Sequence, residues 1–171
     1  YVTGPAYLTI KNILNIGVFL IFLQANSWLK KPDAIVKRGE FFMLTVLTLF
    51  GMYLMISSGN FLLFYIGLET ASLPIAALVA FNKYKEYSAE AGAKYIVNAI
   101  FSSAIIVFGL SFLYGACGTL YYLDIASNIY SSPMVIMAMI FVLSGLFFKI
   151  SLVPFHLWAP DTYQGAPTNV T

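Results

Sequence analysis

The sequence is poor in charge, in sulfur and in histidine. Asp, Glu, Lys and Arg make up 9% of its 171 residues, where a soluble domain carries about 25%. One cysteine, Cys117, and one histidine, His156, cannot make a disulfide framework. Nor can they make an iron–sulfur cluster held by four cysteines of this chain, or a haem with two of its own histidines. There is no G-x-G-x-x-G, no P-loop and no cluster of metal ligands, so the sequence offers no cofactor or metal site. The net charge of +2 is too small to point to nucleic acid, and the basic residues fall in loops rather than on one face. No signal peptide, linker or short repeat is evident. Cys117 reads as a small apolar residue at a helix end.

What the sequence has is hydrophobicity: 60% of its residues are apolar and the mean hydropathy is +0.84. A membrane-crossing helix needs about 20 mainly apolar residues. Five stretches meet that need, at 7–29, 41–58, 61–82, 92–116 and 134–155, and a further helix is expected to start near 167. The fold class is therefore all-α, a polytopic transmembrane helix bundle read as a single membrane domain. The sequence also reads as a piece of a longer chain, opening at Tyr1 and stopping at Thr171.

Against this background two charges stand out. Glu69 lies in F-L-L-F-Y-I-G-L-E-T-A-S-L-P, five residues before Pro74; Lys149 lies in V-L-S-G-L-F-F-K-I-S-L-V-P, five residues before Pro154. A charge near mid-bilayer costs roughly 2.5–3.5 kcal/mol on insertion scales, so it usually has a partner and a function. A proline cannot donate to the carbonyl four residues back. Helix breaks are therefore expected at Pro74 and Pro154, freeing the carbonyls of Thr70 and Ile150. Tyr65, Ser72 and Ala76 share a helix side with Glu69, which predicts that Glu69 faces protein rather than lipid. Burial favours the neutral form of a lysine and a nearby carboxylate favours the charged form, so Lys149 suits a change of charge when its partner moves. His156, between Phe155 and Trp158 with Asp161 beyond, titrates near neutrality if unperturbed and suits a proton relay. The residues alone leave other readings open: a glutamate bonded within a helix interface, a snorkelling lysine near a helix end, and an interfacial histidine beside a tryptophan.

At L-V-P-F-H-L-W-A-P-D-T-Y-Q-G-A-P-T (152–168) the chain resembles the antiporter-like, proton-pumping membrane subunits of respiratory complex I, the NADH:quinone oxidoreductase. Stretches at 39–42 (G-E-F-F), 60–74, 93–104 (A-K-Y-I-V-N-A-I-F-S-S-A) and 113–120 (L-Y-G-A-C-G-T-L) agree in order. The Y-Q-G-A-P-T ending is more like the N-type branch than the L and M types. The resemblance implies part of a fold with two inverted five-helix repeats and a broken helix near Pro154. It implies that Glu69 and Lys149 form the pair of a proton half-channel, with His156 following in the same path. NADH, FMN, iron–sulfur clusters and quinone would be handled elsewhere in the complex, with none held on this chain. The partners implied are other membrane subunits and the lipid bilayer, in a bacterial inner (cytoplasmic) membrane. A subunit of a multi-subunit cation/proton antiporter, which shares the Glu/Lys pair, and a purely structural membrane scaffold are the alternatives.

Loop charge orients the chain. Lys30, Lys31, Lys37 and Arg38 follow the first stretch, and Lys83, Lys85 and Lys94 follow the third; the loops on the other side, at 59–60 and 117–133, hold no basic residue. The positive-inside rule puts 30–40 and 83–94 in the cytoplasm. Residues 82–94 read as a solvated loop, or as a helical approach to the membrane surface. Lys11, toward the outer end of the first stretch, is the exception, and a snorkelling side chain accounts for it. Single cysteines introduced at Lys37 and Lys85 should label only from the cytoplasmic face. Labelling from outside in intact cells would reverse the orientation.

Overall fold

The computed structural model describes residues 1–30, 37–82, 84–130 and 132–171. In chain order its helices are α1 (Pro5–Trp28), α2 (Arg38–Ile56), α3 (Phe61–Val79), α4 (Glu86–Cys117), α5 (Tyr122–Asn128), α6 (Pro133–Lys149) and α7 (Trp158–Gly165). Four of these, α1 to α4, are long and apolar enough to cross a membrane, and α6 is an apolar helix of 17 residues. The described residues form no strand, only one isolated bridge between Asn60 and Tyr121. The chain is a multi-pass, all-helical membrane bundle.

Local sequence sets the helix starts. The Asn60 side chain accepts from the Leu63 N–H at 2.7 Å and opens α3. The Ser132 hydroxyl accepts from the Val135 N–H at 3.3 Å, and Pro133 follows it as the first residue of α6. Both are N-caps that satisfy an otherwise orphaned donor. Helix α4 begins at Glu86, earlier than the apolar pattern alone predicts, so most of the charged stretch before the span is helical. It stops at Gly118, whose φ of 70° is the left-handed conformation that glycine adopts without strain.

Two expected breaks are resolved differently. Pro74 does not interrupt α3, which runs unbroken from Phe61 to Val79 with Pro74 buried inside it. Neighbouring helices hold a proline-containing membrane helix together and re-satisfy the freed backbone. The second break is real, but Pro154 does not end the helix. Helix α6 stops at Lys149, because Ser151 turns left-handed with φ 49°. The Ser151 N–H then bonds the Phe148 carbonyl at 3.2 Å and the Leu152 N–H bonds the Phe147 carbonyl at 2.9 Å. These are the two bonds of a Schellman motif, with serine where glycine is usual. Since the helix is already over, Pro154 removes no bond from Ile150; it sits inside a non-helical segment that ends at α7. Pro167–Thr171 closes a turn, with the Val170 N–H on the Pro167 carbonyl at 2.8 Å.

The bundle has two recognisable ends. At one, Trp28, Phe41 and Phe81 form an aromatic cluster, with Trp28 and Phe41 rings 5.8 Å apart. Here the Lys37 ammonium donates to the Phe81 carbonyl at 2.9 Å, tying together the two loops rich in basic residues. Lys31 and Lys83 lie outside the described residues. At the other end the chain start meets the α2–α3 turn, with Val2 N–H on Ser57 O at 2.8 Å, and Phe61 N–H reaches Leu120 O at 3.0 Å. Lys11 belongs to this end, yet it does not snorkel. It is 9% exposed and donates inward, to the Ser57 hydroxyl at 2.5 Å and the Tyr1 hydroxyl at 2.8 Å.

Two helix pairs carry the core. Helix α2 lies on α3 through Gly51 and Gly67, and α4 lies on α6 through Gly109 and Gly145. A Cβ at Gly51 would stand 2.7 Å from the Gly67 carbonyl oxygen, and one at Gly145 would stand 2.8 Å from that of Ser102. Membrane helices use such small residues to bring backbones together. The α4–α6 seam buries Ile106, Leu110, Ala138 and Val142. Gly145→Val should force α4 and α6 apart and lower stability by about 1–3 kcal/mol, the cost of overpacking. Gly17→Val, at a position with nothing within 4 Å, should stay near parental. Thermal unfolding of both variants in detergent checks this, and equal midpoints would contradict the close approach.

Candidate functional site

Three helices converge at mid-depth of the bundle. Helix α3 carries Glu69, α4 carries Ser102 and Ser103, and α6 ends on Lys149. Because α6 runs along α4, with Gly145 opposite Ser102 and Ile106, its last turn reaches the middle of α4. The Lys149 ammonium lies 3.2 Å from Glu69 Oε1 and donates to the Ser72 hydroxyl at 3.2 Å. The Ser103 hydroxyl also meets Glu69 Oε1. That hydroxyl has one hydrogen and a second acceptor within reach, the Ala99 carbonyl at 2.7 Å. The Ser72 hydroxyl accepts from Lys149 and can donate to the Glu69 carbonyl at 3.4 Å.

The pair is mostly withdrawn from solvent: the side chains are 13% exposed for Lys149 and 23% for Glu69. Lys149 is the last helical residue of α6, where the macrodipole's negative end favours a cation. Each member also opens onto a different recess. Glu69 lines one of about 540 Å³ with Tyr65, Ser103 and Ser111. Lys149 lines another of about 370 Å³ with Thr45, Thr48, Tyr95 and Trp158. The acid and the base thus stand side by side between two spaces.

The resemblance implies that Glu69 and Lys149 form a pair, and the structure brings their side chains to 3.2 Å. His156 is not in that cluster: it lies in the segment between α6 and α7, and no hydrogen bond among the described residues links it to Glu69 or Lys149. Its Nδ1 is buried without a hydrogen-bond partner among the described residues. Asp161 is elsewhere too, paired with Lys94 at 2.7 Å, while Lys94 also pairs with Glu90 at 2.8 Å. Sequence reasoning missed Ser103 as a partner of Glu69 and Lys94 as a partner of Asp161. The signal for Ser103 was the Ser-Ser step in an otherwise apolar part of α4. Cys117 is the last residue of α4, and it is free. Among the described residues no three or more His, Cys, Asp or Glu gather where they could hold a metal.

The chain is thus a multi-pass helical membrane bundle with a partly buried acid–base pair at the end of α6. The chain belongs to the NADH:quinone oxidoreductase/Mrp antiporter transmembrane family, whose description matches residues 58–171. It is similar to NADH-quinone oxidoreductase subunit N of Phocaeicola vulgatus, 56% identical over 171 residues, which is 100% of this chain and 36% of that protein. It is also similar to the subunit N of Herminiimonas arsenicoxydans, 39% identical over 177 residues, with 100% of this chain and 36% of that protein covered. The chain therefore spans about a third of the length of the curated relatives it matches. Among solved structures, respiratory complex I from Thermus thermophilus with bound Aureothin aligns at a TM-score of 0.69 and 36% identity, over 77% of this chain and 29% of that one. A membrane-bound sulfane sulfur reductase, an archaeal respiratory membrane complex, aligns at 0.72 and 33%, over 77% of this chain and 27% of that one.

Proposed function

We propose that this chain is part of a proton-translocating, N-type membrane subunit of an NADH:quinone oxidoreductase, in which Glu69 and Lys149 form the switchable charge pair. The observation that carries the reading is the 3.2 Å contact between Glu69 and Lys149 at the end of α6, with each residue opening onto its own recess. The identity to subunit N proteins supports the assignment to that enzyme.

The chemistry follows from the pair. While Glu69 Oε1 stands beside the ammonium, the carboxylate favours the charged lysine. When the two separate, burial favours the neutral lysine, which releases its proton. A proton therefore enters when the pair is closed and leaves when it opens. Ser72 and Ser103, each holding a hydroxyl between two partners, supply donors and acceptors that follow the change. His156, whose Nδ1 has no hydrogen-bond partner among the described residues, serves as the relay beyond Lys149. The chain holds no electron carrier; NADH, FMN, iron–sulfur clusters and quinone are handled by other parts of the complex. Its partners are other membrane subunits, in a bacterial inner membrane with residues 30–40 and 83–94 on the cytoplasmic side.

A second reading, a subunit of a multi-subunit cation/proton antiporter, is favoured by the family description, which spans both kinds of protein. Copurification of the membrane partners separates them. For the pair itself, Glu69→Gln and Lys149→Ala in the assembled complex should each lower quinone-coupled turnover and proton uptake roughly a hundredfold or more, the range of losing a proton-transfer group. NADH oxidation by a soluble artificial acceptor should persist. Parental pumping in both assembled variants would make the pair structural.

A further inference from the structure

Helix α7 lies flat and antiparallel on one face of α4. Trp158 packs edge-on against Tyr95, ring centres 5.7 Å apart; one turn on, Asp161 pairs with Lys94 at 2.7 Å. Another turn on, Gly165 abuts the start of α4 so closely that a Cβ there would lie 2.6 Å from the Tyr87 carbonyl oxygen. Ascending α7 thus means descending α4. This docking sets where the Trp158 indole points. Its Nε1–H donates to the Phe148 carbonyl at 3.1 Å, and Phe148 immediately precedes Lys149. That carbonyl also receives the Ser151 N–H at 3.2 Å, so both of its lone pairs are engaged.

Among the described residues this indole bond is the one hydrogen bond from α7 back to α6. The stretch between the two helices has no helical ladder to transmit a position. A side chain seated on α4 therefore holds the last turn of α6 by a hydrogen bond from its open side, beside the Phe148–Phe155 ring contact at 4.3 Å. Lys94 and Asp161 are 44% and 51% exposed, and an exposed ion pair alone is worth little. Here it closes the middle of a three-point contact whose other points are an aromatic pair and a close backbone approach.

We propose that Trp158 is a positioning residue for Lys149, seated by Tyr95 and by the Lys94–Asp161 pair. The inference rests on the reading of Glu69 and Lys149 given above. Trp158 touches no transferred proton; it holds the turn that presents the ammonium to Glu69.

The test uses the assembled complex in vesicles, with Lys149→Ala as the reference. Trp158→Phe keeps one ring against Tyr95 and removes the N–H together with the second ring of the indole. It should assemble at the parental level, lower quinone-coupled turnover about 2- to 10-fold, the range for one lost hydrogen bond, and displace the pH profile of turnover. Asp161→Asn should act in the same direction, and Asp161→Glu, which keeps the charge, should restore turnover. Parental turnover and an unmoved pH profile in Trp158→Phe, while Lys149→Ala is inactive, would overturn the positioning role and leave the charge pair standing. Parental turnover in Lys149→Ala would overturn both. If Trp158→Phe does not assemble, the exchange of Asp161→Lys with Lys94→Asp decides. Turnover lost in Asp161→Asn and regained in the exchange supports the role; no loss in the single variant, or no recovery in the exchange, refutes it.

Discussion

An ammonium group cannot sit unaccompanied in an apolar bundle, and the middle of this fold is arranged around that constraint. Lys149 needs an anion, hydrogen-bond acceptors and a favourable backbone dipole, and three helices are required to supply them. Helix α3 brings the carboxylate of Glu69 and the hydroxyl of Ser72. Helix α4 brings Ser103, which holds Glu69 from the other side. Helix α6 brings its own C-terminus. Without the close approaches at Gly51, Gly67, Gly109 and Gly145 the helices would stand too far apart for these groups to meet.

The packing that makes this convergence possible is lopsided. One face of the bundle is sealed by the α4–α6 seam of Ile106, Leu110, Ala138 and Val142. The other is held by aromatic rings at the end that carries the basic loops. Among the described residues, several serine and threonine hydroxyls bond to their own helix's carbonyls, as Thr45 does to Phe41 and Thr48 to Leu44. The exposed apolar face of α1, with Ile13, Ile16, Phe19 and Leu20, is what a helix presents to lipid or to further helices.

Much of this was legible in the sequence. A glutamate and a lysine each isolated in an apolar run call for partners and a function, and the family resemblance implied that they partner each other. The helical class followed from run length, and the family from motifs in order. What could not be read was backbone detail decided by packing. Proline suggested a break at Pro74, where neighbouring helices keep α3 continuous. The true stop in α6 depends on Ser151 taking a left-handed conformation, which a serine gives no local reason to expect. Lys11 looked like a residue reaching for water, but Ser57 and Tyr1, distant in sequence from one another, draw it inward. Ser103 and the Lys94–Asp161 pair went unseen for the same reason: they are contacts across 34 and 67 positions.

The different fates of the two prolines have a mechanical consequence. Glu69 is built into an uninterrupted rod that is locked against α2 at two glycines. Lys149 is the final residue of a rod that ends beside the middle of α4, with an irregular tether beyond it. The pair is a latch with one jaw fixed and one jaw hinged. In the proposed switch, opening therefore falls to the cation's side, and the carboxylate is the stationary reference against which that movement is measured.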